Sequence, residues 1–408
     1  MRYSAVSSAA MLMARFLRPD FSPACAARAC LPTPPRPATR HNPMSAPPPV
    51  LIYRDRIGAP SEIGFLRRQY LGFTRLRPVW IGRTVLPQAE QISPNVHRLG
   101  NGFPLGPLRR LLFRHFGIVP PLPVENLAPV LHAQFARGGA LALPLAQKLG
   151  LRLVVTLHGG DVSKRKNWQS GTVLARRWPA LVRQAARFVC VSHAVAEIAA
   201  AHGAPADKLL VLPIGVEVPD HPPPAETPTS HLFVGRFVEK KGILTLTDAI
   251  SRLRAMGDTM PVTCVGDGPL RPALEALARE TPGITLTGWL PPDAVRAHMA
   301  SAVSLLVPSV IASDGDAEGL PSVIPEAMAQ ACPVIGSDQG GIAEAIRPGA
   351  TGLLVPPGDA DALAAAMHRL ATQPGLRQAL GHAGYAYAAT GLNARIQSAR
   401  LEALLLSL

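Results

Sequence analysis

The sequence has few cysteines, a shortage of acidic residues and no long apolar run. Its five cysteines are scattered and show no metal-ligand spacing, so we expect reduced thiols in place of disulfide bonds or a cysteine-held metal ion. No stretch reaches the roughly 18 uninterrupted apolar residues that a membrane-spanning helix needs. The 408 residues are nevertheless 48% hydrophobic and 17% charged, which is typical of a globular protein, and this length favours two domains.

The shortage of acidic residues gives the chain a net charge of +14. Residues 1–43 contain six arginines and one aspartate, are rich in proline and lack helical periodicity. Residues 1–48 are therefore predicted to be a disordered or mis-assigned extension, with Met44 as a candidate start of translation. They resemble a signal sequence only weakly, because the apolar stretch Met11–Leu17 is short and contains Arg15. The rest of the chain keeps a charge of about +9, which favours an anionic partner.

From residue 49 onward, short apolar runs alternate with helix-like segments. This alternation predicts parallel βαβ units with buried strands. The proline-rich linker Pro219–Ser230 separates a first α/β domain, residues 49–218, from a second, residues 231–390. We expect a last helix, residues 391–408, to pack back toward the first domain. Doubly wound sheets bind ligands at the carboxyl ends of their strands, so two facing sheets would form an interdomain cleft.

The stretch Pro308–Ala329 places Glu318 in a loop and Glu326 in a helix that is predicted to begin near Pro321. Proline suits the first helical position, and the dipole of a helix start favours an anion. The free backbone N–H groups of such a start would be those of Ser322, Val323 and Ile324. The arrangement suits a hydroxyl-rich ligand with phosphate groups, although two solvated carboxylates would show the same spacing.

A second candidate site follows the first strand after the linker, in the segment VGRFVEKKG. Gly235 allows a close approach of the backbone, and Arg236 and Lys241 follow it. A guanidinium and an ammonium at the end of a strand can clamp a pyrophosphate. The alternative is that both cations are simply solvated.

The next strand opens onto the segment CVGDGPL, which leaves backbone room for a nucleotide at Gly266 and Gly268. A tight turn between strand and helix would use the same glycines. Arg271 stands where a dinucleotide fingerprint has its third glycine, and this argues against a dinucleotide cofactor.

Polar side chains also follow two strands of the first half. His132 and Gln134 occur in LHAQF, and His158 and Asp161 occur in TLHGGDVS. A single histidine at such a place is more often structural. Because two strand ends each provide one, we interpret these residues as a polar wall of the cleft.

Together these segments resemble glycosyltransferase family 4, the retaining nucleotide-sugar transferases with two facing Rossmann-like domains known as the GT-B fold. The specific matches lie in Leu232–Asp359 and read VGRFVEKKG, VGDGPL, LTGWLP, EGLPSVIPEAMA, GGIAEAI and TGLLVPPGD. The first half matches more loosely, through HAQF, VVTLHGGD and FVCVSHAV. Its opening segment lacks the glycine-rich first loop and is similar to the Pro-Ser-Glu version of capsule and exopolysaccharide transferases.

The resemblance implies a role for each matching residue. Arg236 and Lys241 would neutralise the diphosphate of the donor, and Glu326 would accept hydrogen bonds from its ribose. Glu318 would bind hydroxyls of the transferred sugar, which His158 would face from the other domain. Further donor-side residues would be Gly235, Gly266, Gly268, Gly319, Leu320, Ser322 and Val323. Candidates for the acceptor side are Ser61, Glu62, His132, Gln134 and Asp161.

The implied activity is transfer of a hexose-type sugar, with retention of configuration, to a lipid-linked or polysaccharide acceptor in bacterial surface glycan biosynthesis. The resemblance implies no cofactor or bound metal, and the pair Asp314 and Asp316 recruits no further metal ligand. Ala331 and Ala343 depart from the family pattern, but neither is expected to touch the chemistry. The alternatives are a nucleotide-binding protein without catalysis and a nucleotide-sugar epimerase.

Two segments of the first half are both basic and apolar, namely Phe65–Trp80 and Phe103–Gly117. In the second, leucines share a helix face that arginines flank, as in a helix that lies in a membrane interface. This predicts a cytoplasmic protein with peripheral association at the inner membrane face, although a helix packed on its own domain would fit equally well. The basic stretches match no nucleic-acid-binding motif, so no nucleic acid partner is expected.

Overall fold

The computed structural model describes residues 46–101, 105–122, 124–224 and 227–408. Residues 47–408 form one compact unit. The predicted N-terminal extension lies outside the described residues as far as position 45. No helix in the described ranges is long and apolar enough to cross a membrane.

The first half is built on a parallel sheet of seven strands, in the order β5-β3-β1-β6-β7-β8-β9, beside a small sheet of β2 and β4. The strands are β1 (Pro49–Tyr53), β2 (Arg56–Ile57), β3 (Arg77–Gly82), β4 (Thr84–Val85), β5 (Val96–Arg98), β6 (Val130–Gln134), β7 (Arg152–Leu157), β8 (Arg187–Cys190) and β9 (Leu209–Val211). The helices are α1 (Pro60–Arg68), α2 (Gly106–Phe116), α3 (Ala136–Leu149), α4 (Gly160–Ser163), α5 (Val173–Gln184) and α6 (His193–Ala201).

The second half is built on a parallel sheet of six strands, in the order β12-β11-β10-β13-β14-β15. The strands are β10 (Ser230–Val234), β11 (Val262–Val265), β12 (Ile284–Gly288), β13 (Ala302–Val307), β14 (Val334–Ser337) and β15 (Leu353–Val355). The helices are α7 (Ile243–Ala255), α8 (Arg271–Glu280), α9 (Pro292–Ala300), α10 (Val323–Ala329), α11 (Gly340–Ala345), α12 (Ala360–Thr372), α13 (Pro374–Gly391) and α14 (Ala394–Leu406).

The strands of both sheets are covered on their two faces, which explains their continuous apolar runs. In β1, Leu51 and Tyr53 belong to one hydrophobic cluster, while Val50 and Ile52 belong to another on the opposite face. This is the twofold alternation of side chains along a strand. The prediction of two parallel, doubly wound sheets is confirmed.

The last helix, α14, packs on the first half of the chain. Leu401 and Leu405 are buried in the same cluster as Val50. Glu402 is 2% exposed, and its carboxylate accepts hydrogen bonds from three consecutive backbone N–H groups, those of Thr74, Arg75 and Leu76. A buried carboxylate satisfied in this way ties the end of the chain firmly to the loop after α1.

Two predicted helix boundaries are wrong. The helix that carries Glu326 begins at Val323, because the Ile324 N–H donates to the Pro321 carbonyl in a turn that precedes the helix. The prediction of three free N–H groups at that helix start therefore fails for Ile324. The sequence also predicts a helix over Ser61–Phe73, but α1 ends at Arg68, since tight turns follow it. The helices α4, α9 and α11 and the three short strands β2, β4 and β5 were not predicted from the sequence.

Candidate active site

The carboxyl ends of β10 and β11 bring two predicted glycine segments together. A Cβ atom at Gly266 would lie 1.9 Å from the Gly235 carbonyl oxygen, and φ at Gly266 is +131°. A Cβ atom at Gly268 would lie 2.6 Å from the Phe237 carbonyl oxygen. Only glycine fits at such close approaches. The two segments therefore form one continuous backbone edge without side chains between them.

Glu318 lies in a chain of ion pairs that crosses between the two halves. Its Oε1 atom is 3.1 Å from Lys241 Nζ and 3.4 Å from Lys240 Nζ. Lys240 also pairs with Asp316 at 3.2 Å, and Lys164 from the first half pairs with the same carboxylate at 2.8 Å. Burial alone would raise the pKa of Glu318, but Lys241 and Lys240 outweigh it and lower that pKa below its usual range. Glu318 is therefore an ionised acceptor whose charge is already balanced.

Glu326, on α10, forms an ion pair with the other half of the chain. Arg68 Nη2, at the end of α1, lies 2.7 Å from Glu326 Oε1. The two side chains are only 13% and 23% exposed. Both predicted hydroxyl-binding glutamates thus contact cations, and Glu326 obtains its cation from α1.

Arg236 differs from its neighbours because it is exposed and forms no ion pair with a described residue. It follows β10 directly, as predicted, and lies in the same strand-to-helix connection as Lys241. An exposed guanidinium at this edge can bind a phosphate group through two parallel hydrogen bonds. Arg236 can therefore bind an anion directly, whereas Lys241 is shared with its partner Glu318.

His158 follows β7 and faces the second half. Its carbonyl oxygen would lie 2.1 Å from a Cβ atom at Gly319, so the two loops touch at a position that only glycine permits. Its Nε2 atom is 2.9 Å from Gln134 Oε1. Burial, together with the nearby Arg54 and His132, lowers the pKa of His158 to about 3, so the ring is neutral. Asp161 supports this loop, because its carboxylate accepts hydrogen bonds from the backbone N–H groups of His158 and Ala136.

His132 does not lie on the cleft surface, so the prediction that it lines the acceptor side is wrong. It is fully buried, and both of its ring nitrogens are 2.7 Å from protein hydroxyls, those of Tyr70 and Thr156. Gln134 is also fully buried, but it contacts His158 directly. His132 and Gln134 lie on the same face of β6, two residues apart along the strand. His132 is therefore farther than Gln134 from the carboxyl end of the strand, where His158 lies.

The two acceptor candidates of α1 have different surroundings. Ser61 is exposed at the start of the helix. Glu62 forms two hydrogen bonds with the guanidinium of Arg54, at 2.9 and 2.6 Å. That guanidinium lies 4.0 Å from the centroid of the Phe135 ring, which in turn lies 4.2 Å from the His158 ring. Glu62 is therefore connected to the His158 ring through Arg54 and Phe135.

The loop before α10 is packed between the two halves. Leu320 contacts the hydrophobic clusters of both. Gly319 lies against Gly341 as well as His158, since a Cβ atom at Gly341 would be 1.5 Å from the Gly319 carbonyl oxygen. Ser322 is the residue that precedes α10, and Val323 is its first residue. The predicted donor-side residues of this segment are thus brought together at one place, beside Glu318.

A contact not anticipated from the sequence joins α11 to α6. The Glu344 carboxylate accepts hydrogen bonds from the backbone N–H groups of His193 and Ala194, both at 2.7 Å. A carboxylate at the N-terminus of a helix satisfies otherwise unpaired donors and the helix dipole. This contact holds the two halves together on the side of the cleft where Gly341 meets Gly319.

Several other residues of the site were also missed. Three of them are cations, Arg68, Lys164 and Lys240, and nothing in the sequence distinguishes these from ordinary surface residues. The only signals were the basic pairs in FLRRQY, which contains Arg68, and in VEKKG, which contains Lys240. Phe135 adopts φ +68° and ψ 152°, an unusual conformation for an aromatic residue that no sequence pattern announces.

The acidic segment around Asp314 does not form a metal cluster. Asp316 is held by Lys164 and Lys240, and the Asp314 side chain accepts a hydrogen bond from the Asp316 backbone N–H. Among the described residues, no group of three or more histidine, cysteine or acidic side chains is arranged to hold a metal ion.

Two family models match the chain, one in each half. The model described as Glycosyltransferase Family 4 matches residues 79–218, and the model described as Glycosyl transferases group 1 matches residues 228–373. The second match contains Arg236, Lys241, Glu318 and Glu326.

Named relatives support the same assignment. The amylovoran biosynthesis glycosyltransferase AmsK of Erwinia amylovora is 30% identical over 266 residues, which cover 62% of this chain and 65% of AmsK. The match thus spans slightly less than two thirds of that relative. A GDP-mannose-dependent alpha-(1-6)-phosphatidylinositol monomannoside mannosyltransferase of Mycobacterium tuberculosis is 32% identical over 263 residues, or 60% of this chain and 67% of that one.

The fold also matches that of a solved structure. Anabaena Alr3699/HepE, crystallised with UDP, superposes with a TM-score of 0.70 at 18% identity, over 88% of this chain and 100% of HepE. The two facing sheets are therefore the predicted GT-B architecture. Matches in both halves of the chain and the identity to named members lead to one conclusion: the chain belongs to glycosyltransferase family 4.

Proposed function

We propose that this protein transfers a hexose-type sugar from a nucleotide-sugar donor to a lipid-linked or polysaccharide acceptor in surface glycan biosynthesis. The observation that carries the proposal is the position of Arg236, Lys241, Glu318 and Glu326 at one edge of the second sheet, opposite His158. The cations suit a diphosphate and the carboxylates suit hydroxyl groups. HepE was crystallised with UDP, and AmsK is named for amylovoran biosynthesis.

The proposed reaction retains the configuration of the transferred sugar. The acceptor hydroxyl forms a bond to the anomeric carbon while the bond from that carbon to the donor phosphate breaks on the same face. The acceptor proton passes to the departing phosphate oxygen, and Arg236 and Lys241 stabilise the charge that develops on the diphosphate. No carboxylate nucleophile is needed, and Glu318 stays paired with Lys241 or with sugar hydroxyls.

We expect the reaction to require no metal ion. Asp316, the carboxylate nearest to Glu318 in the sequence motif, is already held by two lysines. The lysines and Arg236 supply positive charge at the place where a metal would otherwise neutralise a diphosphate. Transfer rates that are equal with EDTA and with added magnesium would agree with this expectation, and a rate that EDTA abolishes would contradict it.

The first test is a thermal-shift panel of UDP, GDP, ADP and CMP with the corresponding nucleotide sugars. A ligand at a hundred times its Kd stabilises the folded state by about 2.7 kcal/mol. The second test is sugar transfer or donor hydrolysis by Arg236→Ala and Glu326→Gln. We expect losses of about 100-fold or more, as for other groups that stabilise developing charge. The surface variants Arg252→Ala and Glu275→Gln are matched controls. Full activity of both site variants would refute the proposal, and isomerised free nucleotide sugar would indicate an epimerase.

We further propose that α2 binds an anionic membrane surface at the cytoplasmic face, where a lipid-linked acceptor would be found. Leu108, Leu111 and Phe116 are 46%, 52% and 74% exposed, an apolar face that is unusual on a charged protein. The pKa of Arg110 is lowered by its burial and by the nearby cations Arg98 and Arg83, so positive charges crowd beside this face. Apolar groups with flanking cations are what binds an anionic interface.

Cosedimentation with vesicles tests this surface. We expect binding to vesicles with 30% phosphatidylglycerol, weaker binding to pure phosphatidylcholine, and loss of binding in the double variant Leu108→Ser, Leu111→Ser. Leu244→Ser, at an equally exposed leucine of the second half, is the control. Equal binding by the double variant and wild type would show that α2 is not the contact surface. The segment Phe65–Trp80 is not a second such surface, since it contains the buried residues Leu66, Tyr70 and Trp80.

A further inference from the structure

A fully connected polar network lies under the cleft in the first half and ends at His158. Its members are at least 92% buried, and they are Gln69, Tyr70, His132, Gln134 and Thr156. Buried polar groups of this kind are retained only when each is hydrogen-bonded, and a satisfied network fixes one arrangement of side chains. The network joins the end of α1 to the carboxyl ends of β6 and β7, so it supports the cleft from below.

The hydrogen-bond directions in the network are set by Gln134. Its amide nitrogen donates to Gln69 Oε1 at 2.8 Å and to Tyr70 Oη at 2.5 Å. The amide nitrogen of Gln69 donates in turn to Thr156 Oγ1 at 3.1 Å. His132 closes the network between Tyr70 Oη and Thr156 Oγ1. With both protons of its amide used, Gln134 presents its carbonyl oxygen to His158.

A carbonyl oxygen only accepts, so His158 Nε2 must be the donor of the 2.9 Å hydrogen bond to Gln134 Oε1. The neutral ring then carries its single proton on Nε2 and keeps a lone pair on Nδ1. Nδ1 has no hydrogen-bond partner among the described residues. The Phe135 ring at 4.2 Å and the Phe65 ring at 5.2 Å limit how far the imidazole can turn.

We propose that this network is a positioning device that holds His158 as its Nε2–H tautomer, so that Nδ1 accepts a hydrogen bond from a hydroxyl of the transferred sugar. The contact with the sugar rests on the proposed function, whereas the tautomer of His158 does not depend on it. It also sets the direction of the hydrogen bonds in the site. Glu318 and His158 are both acceptors, so hydroxyl groups of the sugar must donate a hydrogen bond to each. The buried residues Gln134 and Tyr70 therefore act on the sugar through His158.

The charged groups around His158 agree with a neutral ring. Arg54, which stacks on Phe135, and His132 both disfavour an added proton, and burial disfavours it most. Asp161 is an acidic group of the same loop, but its carboxylate accepts hydrogen bonds from backbone N–H groups. A carboxylate placed at position 134 would reverse this balance, because an acceptor with a negative charge favours the imidazolium.

The tautomer is measured directly, without substrate, by long-range proton–nitrogen correlation on the full chain labelled with ¹⁵N-histidine. His158→Gln identifies the signals of His158 by their loss. We expect a protonated Nε2 and an unprotonated Nδ1 that do not titrate between pH 5 and 8. A proton on Nδ1, or titration near neutral pH, would overturn the inference even if the protein transfers sugar. Absence of any sugar transfer would overturn the proposed function and leave the tautomer result standing.

Two substitutions at Gln134 separate positioning from a merely structural role. In Gln134→Glu, His158 should gain a proton in the neutral range. Hydrolysis of UDP-glucose or GDP-mannose by this variant should then change between pH 6 and 8, where titration of His158 should contribute no change in wild type. In Gln134→Leu, the tautomers should mix and kcat/KM should fall about tenfold, the loss expected from one hydrogen bond of about 1.4 kcal/mol. Tyr70→Phe should give a smaller loss, with Tyr385→Phe, a partly exposed tyrosine outside the network, as the control. Folded Gln134 variants with an unchanged tautomer and pH profile would show that the network is only structural.

Discussion

Arg68 Nη2 lies 2.7 Å from Glu326 Oε1, so the carboxylate proposed to bind ribose is held by a cation from the other half of the chain. The ion pair couples α1, next to the acceptor candidates, to α10 in the donor site. Removing one partner of a largely buried pair leaves the other without compensation, which is unfavourable. Because both side chains keep some exposure, solvent reduces this effect.

We predict that Arg68→Met weakens nucleoside diphosphate binding about tenfold, or about 1.4 kcal/mol, because Glu326 is no longer held in place. Isothermal titration with UDP and GDP measures the change. Arg67→Met, one residue earlier and exposed, is the matched control. Tighter binding by Arg68→Met would show instead that Arg68 competes with the nucleotide for Glu326.

The ion pair between Glu318 and Lys241 leads to a prediction in which binding and turnover change in opposite directions. In Glu318→Gln, Lys241 loses its carboxylate partner at 3.1 Å and becomes available to a diphosphate. We expect nucleoside diphosphate to bind a few-fold tighter, by about 1 kcal/mol, while kcat for transfer falls about 100-fold because a sugar contact is lost.

Titration calorimetry and a transfer assay on the same preparation test this split. Asp316→Asn is the control, since it changes the contacts of Lys164 and Lys240 but leaves the pair between Glu318 and Lys241 intact. If binding and turnover both fall in Glu318→Gln, Lys241 is not shared between Glu318 and the diphosphate. Such losses would show that Glu318 mainly orders the site.

Those parts of the site that lie in one local segment could be predicted from the sequence. Glu318 and Glu326 could be found because they lie in one motif with seven residues between them, and Arg236 and Lys241 because they follow one strand. Arg68 could not be found, because its pairing with Glu326 depends on how two distant halves close. Periodicity also places His132 and Gln134 on one face of β6, but it does not tell which of the two contacts His158.

Backbone geometry sets a third prediction, at Gly266. An alanine Cβ there would lie 1.9 Å from the Gly235 carbonyl oxygen, and φ is +131°. Gly266→Ala should destabilise the fold by more than about 3 kcal/mol, since strand β11 must shift away from β10. Gly257→Ala is the control, because φ is +80° but no atom lies within 4 Å of the added group.

The control should lose only about 1 kcal/mol, the usual effect of a left-handed alanine. Urea denaturation of both variants gives the comparison. Equal losses would mean that backbone strain alone makes glycine necessary at position 266. The close contact between the two glycine segments would then be irrelevant to stability.

The buried histidines set a fourth prediction, which concerns acid stability. Burial lowers the pKa of His132 and His158 to about 3 and that of His231 to about 4. In the unfolded chain these groups bind protons near pH 6.5. Below that pH the unfolded state therefore holds more protons than the folded state, and acid favours unfolding. The stability is complete above pH 6.5 and is lost as the pH falls toward 4.

Each such histidine adds up to about 1.4 kcal/mol per pH unit to the slope of unfolding free energy against pH. Urea denaturation between pH 6.5 and 5 measures that slope, in a range above most carboxyl titration. His231→Asn should reduce this slope by the contribution of one histidine. The variant His382→Asn, at an exposed histidine, should have the slope of wild type. The raised pKa of Asp161 opposes the trend, so a slope of the expected sign is evidence that the histidines dominate. A flat profile would mean that the folded state accommodates charged imidazoles, and the neutral ring required at His158 would then be wrong.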